Sequence, residues 1–85
     1  MNARYADLID RIKNAQFRAI RFKPGYDEGD VDKFLDRLVA TLRESSLPNY
    51  DELQNVQFAT TRLKPGYVMQ DVDRFLQEIA EAIRR

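Results

Sequence analysis

The stretch Lys23-Pro24-Gly25-Tyr26-Asp27-Glu28-Gly29-Asp30-Val31-Asp32-Lys33-Phe34-Leu35 returns 41 residues later as Lys64-Pro65-Gly66-Tyr67-Val68-Met69-Gln70-Asp71-Val72-Asp73-Arg74-Phe75-Leu76. Working outward from it, Asn14 to Arg43 aligns on Asn55 to Arg84 without a gap, and 14 of the 30 pairs are identical. A match of that length at one offset marks an internal duplication. The chain is therefore expected to comprise a first repeat over 1–46 and a second over 47–85, folded as one packed unit.

Each repeat divides into two physical parts. In the C-terminal part, Val31, Phe34, Leu35, Leu38, Val39 and Leu42, and again Val72, Phe75, Leu76, Ile79, Ala80 and Ile83, recur at the spacing of one helical stripe. The spacing predicts helices over about 29–44 and 70–84. Within the stripe Val31, Leu35, Leu38 and Leu42 alternate steps of four and three, as do Val72, Leu76, Ile79 and Ile83. That is the seam of a two-stranded coiled coil, and these residues are the expected helix-pairing set. The first helix starts with Asp27, Glu28, Asp30 and Asp32, where carboxylates suit the positive end of the helix dipole; either Asp27 or Asp30 can cap it.

The N-terminal part reads differently. Lys23-Pro24-Gly25-Tyr26 and Lys64-Pro65-Gly66-Tyr67 place Pro second and Gly third, the arrangement of a type II turn whose third residue needs positive φ. Arg18 to Phe22 and Ala59 to Leu63 before them carry β-branched residues and no helical stripe, and are expected to be extended. Tyr5, Leu8, Ile9 and Ile12 form a short helical stripe ahead of the first copy, with Tyr50, Leu53 and Val56 its abbreviated counterpart and Ser45 to Asn49 the linker. The expected fold class is all-α: a small tandem-repeat domain in which two amphipathic helices pack as a short coiled-coil-like pair, each preceded by an extended loop with a Pro-Gly turn.

The chain has 85 residues, with 14 Lys+Arg against 14 Asp+Glu and no His, Cys or Trp. The missing residue types remove disulfides, thiolate nucleophiles, Ser-His-Asp triads and the usual zinc ligand sets. No catalytic, metal-ligating or cofactor-binding residue is assigned, and an enzyme is not expected. Neighbouring positions in the Asp-Val-Asp triplets do not converge on one ion, so these read as helix starts rather than a metal site. A net charge of zero argues against a nucleic-acid binder. Nothing approaches the ~20 apolar residues that span a bilayer, and Asp7 and Asp10 break the N-terminal segment before a signal peptide can form. A cytoplasmic protein is expected, and the marginal core of so short a chain favours a homo-oligomer.

Over roughly residues 14–43 and 55–84, the string Gly-Tyr-x3-Asp-Val-Asp-x-Phe-Leu, preceded by Phe17 and by Phe58, resembles the N-terminal domain of DivIVA, a bacterial polar and septal scaffold. The resemblance implies a dimer whose parallel coiled coil opens into crossed loops. Each loop tip would insert an apolar residue into the membrane and set a basic one against lipid phosphate. The matching positions are Phe22-Lys23 and Leu63-Lys64. The sequence departs from that pattern in its Lys for the more usual Arg, in the Pro before Gly25 and Gly66, and in lacking the long coiled coil that normally follows.

Charge is uneven along the chain. Arg11 to Tyr26 holds five basic residues, Arg11, Lys13, Arg18, Arg21 and Lys23, and no acidic one, whereas Gln54 to Gln70 holds only Arg62 and Lys64. Near an anionic leaflet each such cation gains about 1 kcal/mol. The expected membrane-binding set is Phe22, Lys23, Arg18, Arg21, Leu63 and Lys64, with the first loop leading. A competing reading pairs Arg21 and Arg62 with the aspartates at the helix starts and buries Phe17, Phe58, Tyr26 and Tyr67 on the helices. The function so expected is a non-enzymatic DivIVA-like interaction module at or near the inner face of the bacterial cytoplasmic membrane, in cell division or polar growth. The alternative is a soluble adaptor that pairs with DivIVA-type scaffolds through its helices and does not touch lipid.

Overall fold

The structure, a computed structural model, describes residues 5–44 and 46–84. Its elements run α1 (Ala6–Lys13), β1 (Ala19–Ile20), β2 (Gly25–Tyr26), α2 (Glu28–Arg43), α3 (Tyr50–Asn55), β3 (Thr60–Thr61), β4 (Gly66–Tyr67) and α4 (Met69–Arg84). Both long helices lie within one residue of the expected ranges. Asp27 caps α2, its carboxylate accepting from the Asp30 N–H at 3.0 Å, and Asn49 caps α3 through the Asp51 and Glu52 N–H groups.

The all-α expectation is corrected: the molecule is mixed α/β. The extended segments form a four-stranded antiparallel sheet in the order β1-β4-β2-β3. Ala19 and Ile20 face Tyr67 and Gly66, Gly25 and Tyr26 face Thr61 and Thr60, and Tyr26 faces Tyr67 at the centre. Every pair joins one repeat to the other. The extended stretch of each copy satisfies its backbone polar groups against the twin copy.

The coiled coil is corrected as well. Each long helix packs chiefly on its own short one rather than on its twin, α1 against α2 and α3 against α4. The stripe explains this. Besides the seam it contains Phe34, Val39 and Ala80, all buried, and a stripe that wide faces a globular core rather than one partner helix. Val31, Leu35, Leu38, Leu42, Val72, Leu76 and Ile79 are buried in a single core with Tyr5, Ile12 and Leu53, and Ile83 is partly buried against it. The stripe that would bind another helix is thus covered within the chain.

The glycines of the Pro-Gly-Tyr strings do not supply the expected positive φ; among the described residues only Phe22, at φ +69°, lies there. Gly25 and Gly66 are required by the crossing of the strands. A Cβ on Gly66 would lie 2.7 Å from the Tyr26 carbonyl oxygen, and one on Gly25 would lie 2.7 Å from Ile20 Cγ2 and 3.0 Å from the Tyr67 carbonyl oxygen.

Candidate functional site: the paired loop tips

The crossing is clamped by contacts that run in both directions between the copies. The Tyr26 hydroxyl donates to Asp73 at 2.7 Å, and the Tyr67 hydroxyl donates to Asp32 at 2.8 Å. Partial burial and then these carboxylates push both phenols up to about 12. Phe17 packs on Tyr67 and Phe75, and Phe58 packs on Tyr26 and Phe34, with ring centroids 5.1 and 5.6 Å apart in each set. The first aspartate of each Asp-Val-Asp triplet accepts a backbone N–H from the other copy, Ala59 to Asp30 at 3.0 Å and Arg18 to Asp71 at 3.1 Å. The triplet is therefore a docking device: Asp, for the twin's backbone; Val, for the core; Asp, for the twin's tyrosine.

Beyond the crossing, the segments 21–24 and 62–65 lie against each other. The Phe22 N–H donates to the Arg62 carbonyl at 2.8 Å, and Arg21 Nε donates to the Leu63 carbonyl at 3.2 Å. Phe22 takes the left-handed backbone conformation, with φ +69°, which costs a bulky residue on the order of 1–3 kcal/mol. The Arg21 guanidinium stands 5.2 Å from the centre of the Phe22 ring. Phe22 is 72% exposed and Leu63 81% exposed, the two most exposed large apolar side chains described.

The cations divide into those that make ion pairs and those that do not. Arg18 is committed: its guanidinium grips Asp71 through Nε at 2.9 Å and Nη2 at 2.8 Å. The side-chain bonds from Arg18 hold the Asp71 carboxyl down at about 2. Lys64 reaches Asp27 at 3.2 Å, whose carboxyl is lowered first by its bond to the Asp30 N–H and then by Lys64. Arg21, Lys23 and Arg62 make no ion pair with any described residue, so the competing reading that pairs Arg21 and Arg62 with the helix-start aspartates does not hold among the described residues. The structure thus brings Phe22, Lys23, Arg21, Leu63 and Lys64 together at the tips and places Arg18 inside the clamp. Arg62 was missing from the expected set, although its repeat equivalence to Arg21 is a signal for it in the sequence.

Among the described residues no cluster of three or more acidic side chains is arranged to hold a metal ion, and no helix is long and apolar enough to cross a membrane. No family model, curated protein or solved structure matches the chain. The DivIVA resemblance therefore gains no support from comparison, and the coiled coil that came with it is replaced by the clamped sheet and shared core.

Proposed function

We propose that the chain is a non-enzymatic interaction module that attaches reversibly to an anionic membrane surface through its paired loop tips. The observation that carries this reading is the pairing itself: two exposed apolar side chains, Phe22 and Leu63, arise from hydrogen-bonded segments beside three cations, Arg21, Lys23 and Arg62, that make no ion pair with a described residue. Burying such a side chain fully gains about 1.5–3 kcal/mol, and each cation near the surface about 1 kcal/mol. The sum suits reversible attachment rather than permanent anchoring. The resemblance of the repeated string to DivIVA supports placing that surface at the inner face of a bacterial cytoplasmic membrane, in division or polar growth. The adaptor reading is weaker, because the helix stripe it would offer to a scaffold is already buried.

Co-sedimentation with anionic and neutral vesicles tests the proposal. The wild type is expected to pellet with anionic vesicles only, and Phe22→Ala with Lys23→Ala to release it without altering its melting curve. Leu63→Ala with Lys64→Ala should release it less, since Lys64 is partly engaged by Asp27. A wild type that ignores anionic vesicles contradicts the proposal.

A further inference from the structure

The two tips carry the same lysine but not the same neighbour. Lys64 Nζ stands 3.2 Å from Asp27 Oδ1, whereas the repeat position of Asp27 is taken by Val68, and Lys23 makes no ion pair with a described residue. The Asp27 carboxylate is fixed where it stands. Its backbone N–H donates to the Ala59 carbonyl of the other copy at 2.8 Å, and its Oδ2 accepts the Asp30 N–H at 3.0 Å, leaving Oδ1 turned to Lys64. The lysine is the looser partner, with its side chain 71% exposed against 23% for Asp27. From this asymmetry we infer that Asp27 limits how tightly the tips attach to an anionic lipid surface, by holding Lys64 back from lipid phosphate; the inference rests on the lipid reading above and names a restraint built into it.

Two effects act in the same direction. An ammonium drawn toward the leaflet must leave or share the carboxylate that already holds it, which offsets part of the attraction of that cation to anionic lipid. The carboxylate also sets a fixed negative charge beside the tip, and its repulsion of lipid phosphate grows as water is displaced at the interface. At the first tip the corresponding place, Val68, carries no charge. With one partner so exposed, the ion pair contributes little to folding, and asparagine caps a helix about as well as aspartate. Attachment can therefore change while the fold does not.

The test measures co-sedimentation of the full chain with vesicles of phosphatidylglycerol and phosphatidylcholine in equal parts, with circular dichroism as the check on folding. Asp27→Asn is expected to attach about fivefold more tightly than the wild type, the gain of roughly one further cation at the surface. Glu28→Gln removes a charge one residue away that makes no ion pair with a described residue, and should gain clearly less. In a Lys64→Ala background the gain from Asp27→Asn should fall to that of Glu28→Gln. The reciprocal change, Val68→Asp, gives Lys23 the missing carboxylate and should weaken attachment more than Met69→Glu does one residue along, which keeps the test decisive if Asp27→Asn fails to fold. Equal gains from Asp27→Asn and Glu28→Gln, a gain that survives Lys64→Ala undiminished, or no greater loss from Val68→Asp than from Met69→Glu would each overturn the inference and leave the lipid reading standing. Attachment by neither the wild type nor Asp27→Asn would overturn both.

Discussion

Gly25 and Gly66 are tightly constrained, since the backbones of the two copies meet at them. Their obstacles differ in kind. At Gly66 the nearest atom is the Tyr26 carbonyl oxygen, part of a paired backbone, whereas at Gly25 it is a side-chain methyl of Ile20. Overpacking costs about 1–3 kcal/mol, and Gly66→Ala should sit toward the upper end because backbone yields less than a side chain. Chemical denaturation of both alanine variants checks the order. The paired tyrosines give a second residue-scale prediction. Their folded values near 12 stand above the ordinary 10.0, so the folded state holds these protons more tightly than the unfolded one. Their contribution to stability is whole below about pH 10 and is lost as pH rises through about 12. Denaturation midpoints measured across that range should fall for the wild type and flatten in Tyr26→Phe with Tyr67→Phe. An equally steep fall in the double variant would separate the alkaline loss from these hydroxyls.

At the scale of elements, the long helices follow from their apolar spacing, and removing one buried rung should be felt by the whole. Leu35→Ala and Leu76→Ala are each expected to cost about 2–5 kcal/mol, a large share of the stability of so small a domain. Leu63→Ala, at an exposed tip, should leave the thermal midpoint unchanged; midpoints by circular dichroism distinguish the two classes. The helices were legible because six apolar residues per copy repeat one spacing. The strands were legible as extended backbone but not as a sheet. Each is two residues long and too short to show alternation, and its partner lies in the other repeat, a pairing that periodicity does not record. For the same reason the carboxylates of Asp30, Asp32, Asp71 and Asp73 read as helix-start charges, since their partners Ala59, Tyr67, Arg18 and Tyr26 are distant in sequence. The apolar tips were legible as Phe22-Lys23 and Leu63-Lys64; that Lys64 is engaged and Arg62 uncommitted follows only from the fold.

For the molecule as a whole, duplication turns two segments that cannot bury their own faces into one interlocked unit. Each copy supplies the strand, ring and carboxylate that complete the other, and the clamp leaves the two tips paired and exposed. The repeats are not equivalent, however. Phe22 has the strained backbone and a cation over its ring, while Leu63 has neither among the described contacts. If attachment to lipid is what the clamp supports, Phe22 is the side chain that enters the bilayer. The chain contains no tryptophan, so Phe22→Trp introduces a single reporter at that point. Its fluorescence, recorded with anionic vesicles containing brominated acyl chains, measures entry directly. The account predicts a blue-shifted emission quenched by the bromines and restored by high salt. Emission that stays at the wavelength of a water-exposed indole, unquenched at saturating lipid, would contradict it.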